Sequence, residues 1–201
     1  MSNISVYLIA EEMLIRKSLK IVLESLSNIS VIGVSDNEKE VMTSFKDHLP
    51  DVILIDIKMP MSDRLKMITA IKRLNPSQKI IILTTFEEEA YVRFALHAGA
   101  DFFILRDVKP QILIKGIENL NQFDTLIPQD MATKVLKLTY DQDKLKDSIR
   151  LTSQEKDLIT DLSKGLTPKD ISKKLLTSTA MVRFYISRLF FGACHHPNFV
   201  E

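Results

Sequence analysis

Five short apolar runs recur along the first part of the chain: Ile4 to Ile9, Ile29 to Val34, Val52 to Ile55, Lys79 to Leu83 and Phe102 to Leu105. They are rich in β-branched and aromatic residues with few polar interruptions, the composition of strands covered on both faces. Amphipathic stretches of helix length lie between them. In one, Val92, Ala95, Leu96 and Gly99 fall at i, i+3, i+4 and i+7, the stripe of a helix with one buried side. Ser35 followed by Glu38 reads as a capping box opening the helix after the second strand. Strands alternating with helices predict an α/β fold over residues 1–121: a doubly wound, five-stranded parallel sheet joined by right-handed crossovers.

The pattern then changes. Across residues 122–150, Pro128 is placed to open a short helix through Leu138, after which TYDQDKLKDSIR is polar and without a stripe, the character of a linker. Residues 151–201 are announced by helix caps. Thr152 with Glu155 forms a capping box for a helix ending near Gly165, and Thr167 caps a second one with Pro168 at N1 and Asp170 at N3. A third helix starts after Ser178 or Thr179 and buries Val182, Ile186 and Leu189. Its opposite face carries Arg183, Phe184, Ser187 and Arg188. This spacing predicts a small all-α unit built on the helix-turn-helix plan. Gly192 and Pro197 oppose a helix in the closing FFGACHHPNFVE, so an irregular tail is expected. Its Cys194, His195 and His196 are too close together in sequence to close a tetrahedral metal site easily.

Composition narrows the classes. A chain of 201 residues with 45% hydrophobic and 26% charged residues suits two globular domains. One cysteine, Cys194, excludes an internal disulfide and fits a reducing compartment. The first residues, MSNISVYLIAEE, lack the basic lead-in of a secretory signal, and no apolar run reaches membrane-spanning length. The expectation is a cytoplasmic protein with no membrane partner. Net charge is +1, yet from Lys164 to Arg188 the chain carries Lys164, Lys169, Lys173, Lys174, Arg183 and Arg188 against Asp170 alone. Such a basic cluster suits contacts with nucleic-acid phosphates.

Candidate chemistry sits at strand ends. Glu11 and Glu12 follow the first apolar run and Asp56 closes the third, so parallel strands would bring three carboxylates to one rim, where open α/β sheets bind ligands. Clustered carboxylates imply a hard cation such as Mg²⁺. The run LIDIKMP carries Asp-x-x-Met-Pro from Asp56 to Pro60, IILTTF places Thr84 at the end of the fourth run, and DFFILR places Phe103 and Arg106 on and after the fifth. With these motifs, residues 4 to 121 resemble a response-regulator receiver domain, which is flavodoxin-like. The resemblance implies that Glu11, Glu12 and Asp56 hold Mg²⁺ with help from the main-chain carbonyl of Lys58. It also implies that Asp56 accepts a phosphoryl group from a sensor histidine kinase, that Thr84 donates its hydroxyl to that group, and that Arg106 supplies the cation. Here both family acids are glutamates, the family lysine is Arg106, and a position commonly glycine is Arg64.

Leu151, Thr152, Glu155, Gly165, Lys169, Ile171, Leu175, Ser178, Val182 and Ser187-Arg188 fall at or near the spacing of the LuxR/NarL-type helix-turn-helix, which residues 151 to 190 resemble. That resemblance implies binding to double-stranded DNA. Lys169 and the turn Thr177, Ser178 and Thr179 would touch phosphates, Arg183, Phe184 and Ser187 would face the major groove, and Arg188 would complete the DNA-binding set. The family's fourth helix has no counterpart in the tail, so a homodimer would form through the receiver face built by its fourth and fifth helices. The joint expectation is a phosphorylation-controlled transcription regulator of the two-component type and not an enzyme. Two alternatives stand beside it: a phosphorylation-independent pseudo-receiver, with Arg106 paired to Asp56, and an interaction module that binds no operator. A haloacid-dehalogenase-type phosphatase would need an aspartate where Lys58 stands.

Overall fold

A computed structural model describes residues 3–26, 28–45, 49–56, 61–85, 89–140 and 151–194. The chain begins with β1 (Ile4–Ile9), α1 (Met13–Leu26), β2 (Ile29–Ser35), α2 (Glu38–Ser44), β3 (Val52–Asp56), α3 (Met61–Leu74) and β4 (Lys79–Thr84). It continues with α4 (Glu89–Ala98), β5 (Phe102–Leu105) and α5 (Pro110–Phe123). The strands form one parallel sheet in the order β2-β1-β3-β4-β5, the expected doubly wound α/β arrangement. Its order reverses between β1 and β3, so the loop after β1 and the end of β3 flank one crevice. The three central strands are buried along nearly their whole length, as parallel strands under helices on both faces must be.

Local chemistry sets the element ends. Ser35 belongs to the sheet and not to a cap, because Ala10 N donates to its carbonyl at 3.0 Å. The cap of α2 is Asn37, whose side chain accepts from Glu40 N at 3.0 Å, and Ser35 Oγ instead donates to Glu40 Oε2. Gly99 ends α4 at φ 119°, a left-handed conformation that favours glycine.

The C-terminal part contains α6 (Gln129–Tyr140), α7 (Ser153–Ser163), α8 (Pro168–Lys174) and α9 (Thr179–Cys194). Both expected capping boxes are present, Thr152 with Glu155 on α7 and Thr167 with Asp170 on α8. The Thr167 hydroxyl and amide hold the Asp170 carboxyl below the usual range. Gly165 takes φ 79° after α7, and the Ser178 side chain accepts from Met181 N at the start of α9. Lys174 ties α8 to the buried Asp161 of α7 at 2.6 Å. The sequence placed irregular chain after Leu189, but α9 runs through Gly192 to Cys194. Phe190, Phe191 and Ala193 are buried, and that burial outweighs the roughly 1 kcal/mol cost of a helical glycine. His195, His196 and Pro197 lie outside the described residues.

The polar linker expected after Leu138 gives no separation of cores where the structure describes the chain. One contiguous apolar cluster extends from Val6 to Ala193, and α9 packs against α4 and β5 as well as α7 and α8. A methyl group on Gly116 of α5 would collide with Ile104 Cδ1 and lie 3.6 Å from Phe190 Cε1, so α5, β5 and α9 close directly on one another. Phe190→Ala should therefore cost about 3–5 kcal/mol and lower both halves together. Urea unfolding followed by far-UV circular dichroism should keep one transition at a reduced midpoint, and two separated transitions would show independent cores.

Candidate functional site

Asp56 closes β3 with 1% of its surface exposed. Arg106, just beyond β5, reaches back over it, its Nη2 2.6 Å from Asp56 Oδ1. The reach is fixed by the sheet: Arg106 N donates to Thr84 O at 2.7 Å, and the β4–β5 register pairs Thr84 with Leu105. Thr84 is buried at the end of β4, its hydroxyl donating to Thr85 O at 3.2 Å. Three adjacent strand ends thus bring Asp56, Thr84 and Arg106 to one rim.

Glu11 and Glu12 follow β1 on the same side but are exposed. Their loop is braced by Arg16, which donates to the carbonyls of Ala10 and Glu11 and lies 3.3 Å from Asp36 Oδ2. The Asn37 side chain, followed by Arg16, holds the Asp36 carboxyl below its ordinary value. Arg64, at the position commonly glycine in the family, is buried and donates to Asp36 O at 3.2 Å. Lys58 lies outside the described residues.

The expected outward face of α9 is split. Arg188 is exposed, but Phe184 is 2% and Ser187 0% exposed. Ser187 Oγ accepts from Phe103 N at 3.2 Å. The Phe103 ring lies 5.6 Å from Phe184 and 5.7 Å from Phe191, and Arg93 of α4 sits over the Phe184 ring at 4.9 Å. Arg183 is partly buried, with Nη2 2.7 Å from Asp101 Oδ1. The cause is composition. Val182, Phe184, Ile186, Leu189, Phe190, Phe191 and Ala193 are distributed around much of the helix, and a helix apolar on several sides is buried on several sides. The same contact covers part of the α4 face through which a homodimer was expected. Lys169, Thr177 and Ser178 stay at the surface, whereas Thr179 is partly buried with its hydroxyl 3.1 Å from Ser172 Oγ.

Residues 6–118 match the response regulator receiver domain. The chain belongs to this family. Among curated relatives it is 25% identical to the transcriptional regulatory protein LnrK of Bacillus subtilis, covering 92% of this chain and 89% of that one. It is also 25% identical to the DNA-binding transcriptional activator DevR/DosR of Mycobacterium tuberculosis, covering 92% and 86%. Among solved structures, the response regulator ChrA of a heme-sensing two-component system has a TM-score of 0.52 at 25% identity, covering 96% of this chain and 92% of that one. A complex of the response regulator RcsB with DNA has a TM-score of 0.56 at 21% identity, covering 95% and 93%, a likeness of fold.

Receiver domains generally bind Mg²⁺ at the phosphorylation site. Among the described residues the expected donors are not grouped around a cation position. Asp56 is held by Arg106, Glu11 and Glu12 are exposed, and no three His, Cys, Asp or Glu side chains among the described residues are grouped to hold a metal. Mg²⁺ wants near-ideal octahedral oxygen geometry, and this arrangement presents a guanidinium beside the central carboxylate. No helix among the described residues is long and apolar enough to cross a membrane. The sequence reading passed over Arg16 and Asp101, which lack a local pattern: each is an isolated polar residue whose partners are distant or main-chain.

The Asp56–Arg106 pair is accessible to a double-mutant cycle. Arg106→Ala should cost about 3–5 kcal/mol by uncovering a buried carboxylate, and adding Asp56→Asn should recover most of that loss. Urea midpoints of the four proteins check it; additive losses would mean that the two side chains do not support one another.

Proposed function

We propose that the chain is a response-regulator transcription factor in which the receiver controls a DNA-binding helix-turn-helix. Asp56 is the phosphoacceptor, a sensor histidine kinase is the donor, and double-stranded DNA is the output partner. The observation that supports this most is the double use of β5. Its end positions Arg106 over Asp56, while Phe103 and the preceding Asp101 hold α9. In the transfer, an Asp56 carboxylate oxygen attacks phosphorus, the donor's bond to phosphorus breaks, and its electron pair leaves with the donor. Such transfer needs positioning and neutralisation, and Arg106 already brings one positive charge to the acceptor. The added phosphoryl oxygens compete with the carboxylate for that guanidinium, so Arg106 moves and β5 passes the change to α9. Release of α9 uncovers Phe184, Ser187 and Arg183 for the major groove, with Lys169, Thr177, Ser178 and Thr179 on phosphates and Arg188 at the edge. The same release reopens the α4 face for a homodimer. This chemistry is confined to self-phosphorylation and turns over no further substrate. It is the work of a cytoplasmic protein.

A second reading is favoured by the Asp56–Arg106 contact itself, together with the exposed acids. In it the receiver needs no phosphoryl group, and the guanidinium stands permanently where a phosphorylation-dependent contact would form. Acetyl phosphate with Mg²⁺ separates the two. Intact mass should rise by one phosphoryl group and Asp56→Asn should prevent it. An unlabelled chain, under conditions that label a control receiver, selects the second reading.

DNA binding has its own test. Affinity should fall steeply with salt as counterions are released. Lys169→Ala should weaken all sequences about equally, and Arg183→Ala should relax preference at one base position by ~1–3 kcal/mol. Fluorescence anisotropy across a set of duplexes checks both, and uniform loss with Arg183→Ala would make that residue a phosphate contact.

A further inference from the structure

We propose that Asp101 is an ionic latch on α9, and that Arg183 is shared between two mutually exclusive partners: the Asp101 carboxylate in the closed chain and DNA in the open one. The proposal rests on the DNA-binding reading above and names the contact that regulates it. Asp101 directly precedes β5 and is nearly buried. Its Oδ2 accepts from Lys72 Nζ at 2.9 Å and from Ile80 N at 2.9 Å, so α3 and β4 fix the carboxylate from within the receiver. Lys72 is held in turn by Gln78 O at 2.5 Å. Oδ1 meets Arg183 Nη2 at 2.7 Å, and the guanidinium carbon lies 5.8 Å from the centre of the Phe102 ring. The receiver thus presents an oriented carboxylate oxygen whose other oxygen is already committed.

Two features make this contact a latch and not a fixed strut. When Arg183 leaves, Asp101 keeps Lys72 and the Ile80 amide, so opening strands no bare buried carboxylate, the usual cost of breaking a buried pair. The grip on Arg183 is also incomplete. Its Nε is buried without a hydrogen-bond partner among the described residues, although a guanidinium offers five donors in a rigid fork. A guanine edge or a phosphate can take two of those donors at once. Arg183 therefore has a firm partner when closed and a better-matched one when open, and one side chain cannot reach both. The contact is largely shielded from solvent, so moderate salt should loosen it far less than it loosens DNA binding.

The test uses the full chain and two substitutions, Asp101→Asn and Arg183→Gln, read by amide hydrogen exchange across α9 and by anisotropy with a mixed-sequence duplex. Both substitutions should speed α9 exchange, on the order of tenfold, the scale of a typical coupling between sites. DNA affinity should then diverge. Asp101→Asn raises it by a similar factor, because competition for Arg183 is gone, and Arg183→Gln lowers it. If Asp101→Asn unfolds the receiver, Arg183→Gln carries the exchange test, since it changes α9 alone. Unchanged α9 exchange in Arg183→Gln overturns the latch. Faster exchange in both variants, with no DNA binding by any of the three proteins, keeps the latch and removes the sharing together with the proposed function.

Discussion

Strand β5 lies at the edge of the sheet, and an edge strand presents main-chain groups that must be covered or capped. Here one outward amide, that of Phe103, donates to the fully buried Ser187 hydroxyl of α9. Around this bond the rings of Phe184 and Phe191 both close against that of Phe103. Much else depends on that cover. It joins the C-terminal helices to the receiver core, buries Phe184 and Ser187 of α9, and covers part of the α4 surface.

In the proposed control of α9 by Asp56, the same strand is the physical link. From Phe103 to Arg106 is three residues, about 10 Å of extended chain, held by the β4 ladder on one side and by α9 on the other. Arg106 is anchored through its main chain to Thr84 and through its side chain to Asp56. A movement of the guanidinium is therefore transmitted along a strand with little slack. Close packing favours discrete rearrangement over gradual yielding. Distance alone carries no signal; the proposed coupling has a physical element whose two ends touch the two sites.

The strands were legible in the sequence because a parallel strand buried on both faces is an uninterrupted apolar run, and no helix stripe mimics Val52 to Ile55 or Phe102 to Leu105. Both capping boxes were legible for a comparable reason: Thr152 with Glu155 and Thr167 with Asp170 act within one helical turn. Ser35 misled because the same residue types also serve a strand end, and the β1 ladder decided its place. The rim residues Asp56, Thr84 and Arg106 could be grouped from strand ends, whereas the pairing of Arg106 with Asp56 entered the sequence reading only as one alternative. The face of α9 was misjudged for a physical reason. A helical wheel orders residues around an axis but does not say how many neighbours the helix has, and α9 has neighbours on both sides. Gly192 reads as a breaker until the tertiary burial of Phe190, Phe191 and Ala193 is counted.

The apolar character of α9 also limits how it can open. Aromatic side chains bury about 150–250 Å² each, so exposing Phe184, Phe190 and Phe191 completely would cost roughly 11–19 kcal/mol at the usual area coefficient, as an upper bound. Moving a two-state equilibrium from nearly all closed to nearly all open takes about 5.5 kcal/mol. A regulatory event at Asp56 on that scale cannot pull all three rings into water. Release is therefore partial or finds new cover. The polar end of the contact, Arg183 with Asp101 and Ser187 with Phe103, can part at low apolar cost, while Phe190 stays seated by Gly116 and Ile104. Full separation requires another surface over the uncovered rings, and in the proposed homodimer the α4 face of a second copy supplies it.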